Sequence, residues 1–272
     1  MDNKIITLNE EKEILLIPLY GKAMEARKKS PILSDSKALE IVGKINYDFK
    51  SLKIPVKTNT MMCLRAKTID TFVISVLNKE QDSVVLHLGC GLDSRYVRVN
   101  NPDAEWYDLD YKEVIDIRRN FYPETEKYHL IPSSVTESQW IDIIPKKHKQ
   151  YLVIAEGLFM YLRENESKEI IMSIKKRIGN YTLIFDAFNV FTAKKANNHP
   201  SIKKTGAKIN WGIDDPTELT KWDPGIHFLK EIYLTSNDVI RNLKPGTKLL
   251  YKIANLIPMA RKAQRILIFR IE

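Results

Sequence analysis

The sequence predicts an α/β fold: a mostly parallel sheet covered on both faces by helices, preceded by a helical segment. Three observations lead there. Short apolar runs, such as Val84-Val85-Leu86-His87-Leu88, read as strands buried on both sides rather than as alternating half-buried ones. Stretches with helical texture separate those runs, as crossovers between parallel strands require. One run breaks directly into Gly89-Cys90-Gly91, the strand–turn–helix junction at which such sheets bring backbone close to a ligand.

Residues 1 to about 80 have apolar side chains at helical spacing and are predicted to form an N-terminal helical cap. Ser34 and Asp35 are candidate caps for a helix through Ala38, Leu39 and Val42, and Asn59 for another running to about Leu77. The remainder, 81–272, reads as one domain with strands at 83–88, 105–109, 128–132, 151–155, 181–186, 227–234 and 265–271. Between the fifth and sixth strands lies an insertion at about 187–225, rich in lysine, glycine and proline. Insertions of that length in a compact domain are commonly functional lids.

Composition narrows the function. With 272 residues, 44% hydrophobic and 28% charged, the chain has the make-up of a soluble globular protein. Its formal charge of +9 and pI near 9.3 invite a nucleic-acid reading, but the basic residues are dispersed and interleaved with acids, as on a solvated surface. No basic-aromatic tract accompanies them, so an RNA-acting enzyme is disfavoured and no nucleic-acid partner is expected. The start lacks the build of a signal peptide, and no apolar run approaches the ~18 residues of a membrane span. The two cysteines, Cys63 and Cys90, allow neither a disulfide framework nor a four-cysteine metal site. These features together predict a cytoplasmic protein with no membrane partner and no metal.

The glycine turn admits two ligands, a dinucleotide or a phosphate-free nucleoside. In a dinucleotide site the pyrophosphate rests on the helix N-terminus. Here Ser94 stands in place of the third glycine. Asp93 would put a carboxylate in the first helical turn, where phosphates need the same amides. S-adenosylmethionine has no phosphate and is favoured over a nicotinamide cofactor on that ground. Downstream, Asp110 ends the second strand 19 residues after Gly91 (110 − 91), near the ~20-residue spacing at which an acid reaches ribose hydroxyls. As an acceptor-only group it can take both hydroxyl protons of an unphosphorylated ribose.

Glu156 follows the fourth strand, where a carboxylate is oriented toward the crevice; glutamate is a poor helix N-cap, which weakens the alternative. Arg65 shares an apolar helical stripe with Met62, Ile69, Phe72, Val73 and Val76, so it needs an anionic partner. The carboxylate of a bound amino-acid moiety and a structural acid, Asp93 or Asp70, remain equal candidates. No general base stands out: His87, His129, His148, His199 and His227 form no evident dyad, and His87 reads as a core histidine. Tyr161 is the candidate to face an acceptor, with a packed aromatic as the alternative.

The strings VVLHLGCGLDSRYVR, WYDLDYKEVIDIRR, SSVTESQWIDII and LVIAEGLFMYL, with YGKAMEARKKSPILSDSKALEI, LRAKTID and WGIDDPTELTKWDPG, resemble the leucine carboxyl methyltransferase family, and within it the bacterial branch of tetracenomycin-type polyketide O-methyltransferases. The resemblance covers nearly the whole chain. It implies a Rossmann-like seven-stranded methyltransferase fold and S-adenosylmethionine as cofactor. On that basis Arg65 would hold the methionine carboxylate, with Lys22 near it. Gly89 and Gly91 would lie against the donor, Asp110 would take the ribose hydroxyls, and Glu156 would contact the methionine amine. Ser134 and Val135 stand where the family often has an acid and an apolar residue beside the adenine. The resulting expectation is an O-methyltransferase acting on a carboxylate or phenol of a small molecule. Lys194, Lys195, Lys203, Lys204 and Lys208, free of interleaved acids, would attract an acidic acceptor or form a solvated loop. An NAD-dependent oxidoreductase and a catalytically weak donor-binding protein are the competing readings, the latter kept open by Ser134.

Overall fold

The computed structural model describes residues 6–7, 13–80, 82–146, 150–198 and 206–272, with residues 6, 7, 13 and 14 described by their backbone alone. The first part is mostly helical, as its spacing predicts: α1 (Glu13–Ala26), α2 (Ser36–Lys44) and α3 (Val56–Leu77). Two departures occur. Strands β1 (Ile6–Thr7) and β2 (Ile45–Asn46) pair in parallel, and Phe49–Leu52 forms a 3-10 turn. Elements this short carry no period to read from sequence.

Asp35 caps α2 as expected, accepting from the Ala38 N–H at 2.9 Å. Asn59 does not cap α3. The helix begins at Val56, directly after Pro55, whose φ of −62° and extended ψ turn the chain into the helix one turn earlier. Asn59 is therefore already helical, its N–H bonded to the Pro55 carbonyl at 2.9 Å.

The seven expected strands all form, with ends shifted by two residues at most: β3 (Ser83–Leu88), β4 (Glu105–Asp110), β5 (Tyr128–Pro132), β6 (Gln150–Ala155), β7 (Tyr181–Phe188), β8 (Ile226–Tyr233) and β9 (Gln264–Ile271). Their order is β5-β4-β3-β6-β7-β9-β8. The first five run parallel, and β9 lies antiparallel between β7 and β8. From β3 the chain winds outward through β4 to β5, then returns to place β6 on the other side of β3. The strand order thus reverses at the end of β3, the place where open α/β sheets bind ligands.

Alternation along the strands divides the core into two layers. Val85, Leu152, Ile154 and Ile184 face one side and pack with Leu16, Ile41, Ile69 and Val73 of the N-terminal helices. Val84, Leu86, Val153 and Phe185 face the other and pack against Ile170, Ile171 and Ile174 of α6 (Glu164–Ile178). Helices α4 (Arg95–Val99) and α5 (Lys112–Arg118) complete the β3–β4–β5 half. Burial of α1–α3 against the sheet brings Lys22 and Arg65 over the carboxyl ends of the strands. Beyond β7, α7 (Val190–Ala196) and a 3-10 turn (Pro216–Lys221) structure much of the predicted insertion. Trp211 stacks on Trp222 there, with ring centroids 5.8 Å apart. Lys203 and Lys204, like His148 and His199, lie outside the described residues.

Candidate active site

Backbone geometry opens the site. Gly89 and Gly91 have φ of +61° and +52°, a left-handed conformation that glycine adopts without strain. The turn ends β3 in an open crevice instead of continuing straight into α4. A Cβ on Gly89 would come within 3.0 Å of Leu158, so that position is also sterically closed to larger residues. Gly157, with φ of +65°, leaves room for the Arg65 guanidinium, which a Cβ there would meet at 3.4 Å.

Four strand ends deliver chemistry to the crevice. Asp110 closes β4 and is nearly buried; its two oxygens accept from the Gly91 and Tyr111 N–H groups at 2.7 and 2.8 Å. Burial raises its carboxyl from its ordinary value, and those two amides oppose the rise. Each oxygen keeps a lone pair for another donor. After β5, Ser133 donates its N–H to the Asp110 carbonyl, and Ser134 and Val135 follow. The Val135 carbonyl accepts from the Trp140 indole at 3.2 Å, and the Ser134 hydroxyl pairs with that of Thr136 at 2.8 Å.

Glu156 closes β6 and caps no helix. It accepts from Arg65 Nε at 2.9 Å and from Arg95 Nη2. Burial alone would raise its carboxyl, but Arg95, Lys22 and Arg65 outweigh that and hold it far below the usual range. The partners of Arg65 are neither Asp93 nor Asp70. They are Glu156 and Asp186, whose Oδ2 lies 3.0 Å from Arg65 Nη1. Asp186, near the end of β7, is fully enclosed: it also takes the Gly157 N–H at 2.5 Å and the Gln264 amide at 2.9 Å. Sequence reasoning missed it. The signal was present, because Asp186 ends an apolar run just as Asp110 and Glu156 do.

Asp93 also departs from expectation. Its carboxylate lies before α4, held by Lys22 at 3.0 Å, Arg98 at 2.5 Å and Arg95 at 3.2 Å. Burial would raise its carboxyl, and Arg98, Lys22 and Arg95 together drive it well below the usual range. It is thus compensated by three cations and does not compete for the helix amides. Arg95 and Arg98 share Asp70, each at 2.7 Å, and Arg98 reaches Asp35 at 2.7 Å, so the α2 cap, α3 and the glycine turn form one network.

A second layer lies behind the turn. Asp108, on β4, accepts from Trp106 Nε1 at 2.9 Å, Tyr128 OH at 2.5 Å and Arg118. Arg118 donates in turn to the Gly91 and Asp93 carbonyls at 3.0 and 2.7 Å, pinning the turn from below. His87 links the layers: Nε2 is 3.0 Å from Arg95 Nη1 and Nδ1 is 3.1 Å from Asp108. Because arginine only donates, Nε2 must accept and Nδ1 must carry the proton. His–acid pairs thus exist where none was evident in the sequence, and His129 is also 3.2 Å from Glu105. Neither supplies a base to the crevice. His87 has both nitrogens engaged, and His129 and His227 lie near the amino ends of their strands, away from the glycine turn.

Tyr161, in a 3-10 turn after β6, is partly buried against Met160, Ala193 and Ile209. Burial pushes its phenol up, with Arg65 opposing, and its hydroxyl has no hydrogen-bond partner among the described residues. It stays protonated at neutral pH and offers a donor.

Comparisons with known proteins identify the family and the fold. The family model for leucine carboxyl methyltransferase matches residues 16–175. The tetracenomycin polyketide synthesis O-methyltransferase TcmP of Streptomyces glaucescens is 34% identical over 263 residues, covering 96% of this chain and 97% of that protein. The S-adenosyl-L-methionine-dependent methyltransferase dpfgK of Gibberella zeae is 26% identical, covering 86% of each chain. Among solved structures, a DUF574 family protein from Streptomyces avermitilis superposes with a TM-score of 0.63 at 8% identity, covering 97% of this chain and all of that one. Magnesium protoporphyrin IX methyltransferase from Synechocystis, solved with bound SAH, superposes with a TM-score of 0.52 at 11% identity, covering 87% and 94%. The two structures share the fold, and the sequence matches fix the kinship: this chain belongs to the leucine carboxyl methyltransferase family.

Proposed function

We propose that the chain transfers the methyl group of S-adenosylmethionine to an oxygen of a small-molecule acceptor. The observation that carries this reading is Asp110: a buried carboxylate at the end of β4, tied to the Gly91 amide, with one lone pair left on each oxygen for a ribose hydroxyl. The donor set fits the rest of the molecule. Glu156 takes the methionine ammonium. Arg65, exchanging one of its two acids, takes the methionine carboxylate, with Lys22 adding positive charge nearby. Gly89 and Gly91 let the donor lie against backbone. Ser134 and Val135 flank the adenine, the serine as a neutral acceptor for its amine. The kinship with S-adenosylmethionine-dependent methyltransferases disfavours a nicotinamide cofactor.

S-adenosylmethionine supplies an electrophilic methyl on a sulfonium, and transfer is an in-line displacement. The protein's part is to align the nucleophile at ~3–3.5 Å and exclude water. Helices α1–α3 (within a cap of residues 1–80) close the donor side of the catalytic domain 81–272, and the 187–225 insertion shapes the acceptor side. Tyr161 donates to the acceptor. With no free histidine facing the crevice among the described residues, a carboxylate acceptor, already ionised at neutral pH, is favoured over a phenol, which needs a base. No helix among the described residues is long and apolar enough to cross a membrane, and Cys63 and Cys90 are free and buried; we place the enzyme in a reducing cytoplasm.

Titration calorimetry with S-adenosylhomocysteine and with NADH tests the donor: heat with the first alone is expected, and folded protein silent to it overturns the proposal. Incubation of labelled donor with metabolite extract and with protein extract tests the acceptor; label found only in protein rejects a small molecule.

A further inference from the structure

The helix Pro245–Leu256 and the short helix Pro258–Arg261 join β8 to β9 at the edge of the sheet that carries the crevice. Tyr251 points inward, buried against Leu64 and Ile240. The opposite face is apolar and open: Leu249, Leu250, Ile253, Leu256, Ile257 and Met259 are 50–81% exposed. Such a run exceeds the isolated surface apolars of a soluble domain and marks an interaction face. Lys248 and Lys252 fall on one flank of the Leu249–Ile253–Leu256 stripe at 100° per residue. Arg241, Lys244 and Lys262 bracket it, with Lys248 also donating to the Arg241 carbonyl at 2.9 Å and Arg261 lying over the Tyr233 ring. After Asp238, no Asp or Glu occurs from Val239 to Ile271.

We propose that this face docks the protein on an anionic lipid bilayer, with the leucines at the headgroup boundary and the cations on lipid phosphates. An apolar stripe edged by lysines is the composition of an interfacial helix, and the acid-free stretch supplies its charge complementarity. A second copy is the poorer occupant: a two-fold contact would set this basic segment against itself. A small acceptor is too short, because Leu249 to Leu256 alone spans about 10 Å of helix with further apolar residues beyond it. The proposed docking is peripheral; no helix among the described residues is long and apolar enough to cross a membrane. The proposal is independent of what the crevice binds.

Sedimentation of the full chain with phosphatidylglycerol–phosphatidylcholine vesicles, against phosphatidylcholine alone, tests it. Pelleting with the anionic vesicles only, falling about tenfold as salt screens the charges, is expected. Leu250→Glu with Leu256→Glu, at open positions, is expected to abolish pelleting while S-adenosylhomocysteine binding is retained. Wild-type protein that ignores vesicle charge or fails to pellet overturns the proposal whether or not the variant folds. Concentration-dependent dimerisation, lost in the variant and unaccompanied by pelleting, assigns the face to a second copy and equally overturns it.

Discussion

The two ends of the donor crevice hold their charges differently. At the end assigned to methionine, Lys22, Arg65, Arg95 and Arg98 meet Asp70, Asp93, Glu156 and Asp186 in a continuous buried network, and every cation already has an acid. At the end proposed for the nucleoside, Asp110 is held by two backbone amides, and Ser134 is a neutral hydroxyl. A ligand arriving at the first end must exchange partners. At the second it adds bonds to oxygens with room for them. The first arrangement thus couples binding to fold stability, and the second leaves affinity nearly independent of it.

Removing the centre of the network gives the largest effect. Arg95→Ala takes one cation from each of Asp70, Asp93 and Glu156, which keep Arg98, Lys22 and Arg65, and leaves His87 Nε2 without its donor. Breaking buried charge pairs in this way costs about 3–5 kcal/mol. Urea denaturation is expected to show that loss; a change under 1 kcal/mol would mean the charges are not energetically linked.

Acid should attack the same end. Glu156 and Asp93 have native carboxyls below their ordinary values of 4.5 and 3.8. Their stabilisation is complete above those values and drains away as pH falls toward the depressed ones, since the unfolded chain then binds more protons. Asp110, raised by burial, works in the opposite sense, favouring the folded state as pH falls. Melting temperature is expected to drop steeply below about pH 4 in the wild type, and less steeply in Glu156→Gln, whose starting stability is lower.

Asp110→Asn separates the ends. Loss of a charged acceptor for a ribose hydroxyl is worth about 1.5–3 kcal/mol, or ~10- to 100-fold in affinity. Calorimetry with S-adenosylhomocysteine should show it, with a melting shift much smaller than that of Arg95→Ala. Equal damage to both would erase the distinction. The smallest change sharpens it: Ser134→Asp is expected to tighten donor binding by about threefold to tenfold, because a charged acceptor strengthens a hydrogen bond roughly twofold. Unchanged affinity would place the adenine elsewhere.

The same contrast governs what could be read from the sequence. The central strands β3, β6 and β7 were legible because burial on both faces writes them as apolar runs, and the β6 run ends where Glu156 interrupts it. The place of Asp110 at a strand end beside the glycine turn was legible from its spacing to Gly91; that its carboxylate accepts the Gly91 N–H was seen only in the structure. The partner of Arg65 was not, since Asp186 lies 121 residues away and chain distance carries no trace of it. Asn59 misled as a cap because Pro55, a weaker-looking signal, already fixes the helix start. His87 was rightly read as core, but its role as a connector required seeing Arg95 and Asp108 on either side.

Placement of β9 between β7 and β8 has a consequence for biogenesis. On the ribosome β8 emerges first and finds no edge to join, because its neighbour in the sheet is still unsynthesised. Until that strand slots in, β7 presents an open flank and Asp186 lacks the Gln264 amide, so the acid that steadies Arg65 is finished last. Nascent chains stalled before residue 264 should therefore engage chaperones and fail to retain the methyl donor, however complete their first five strands.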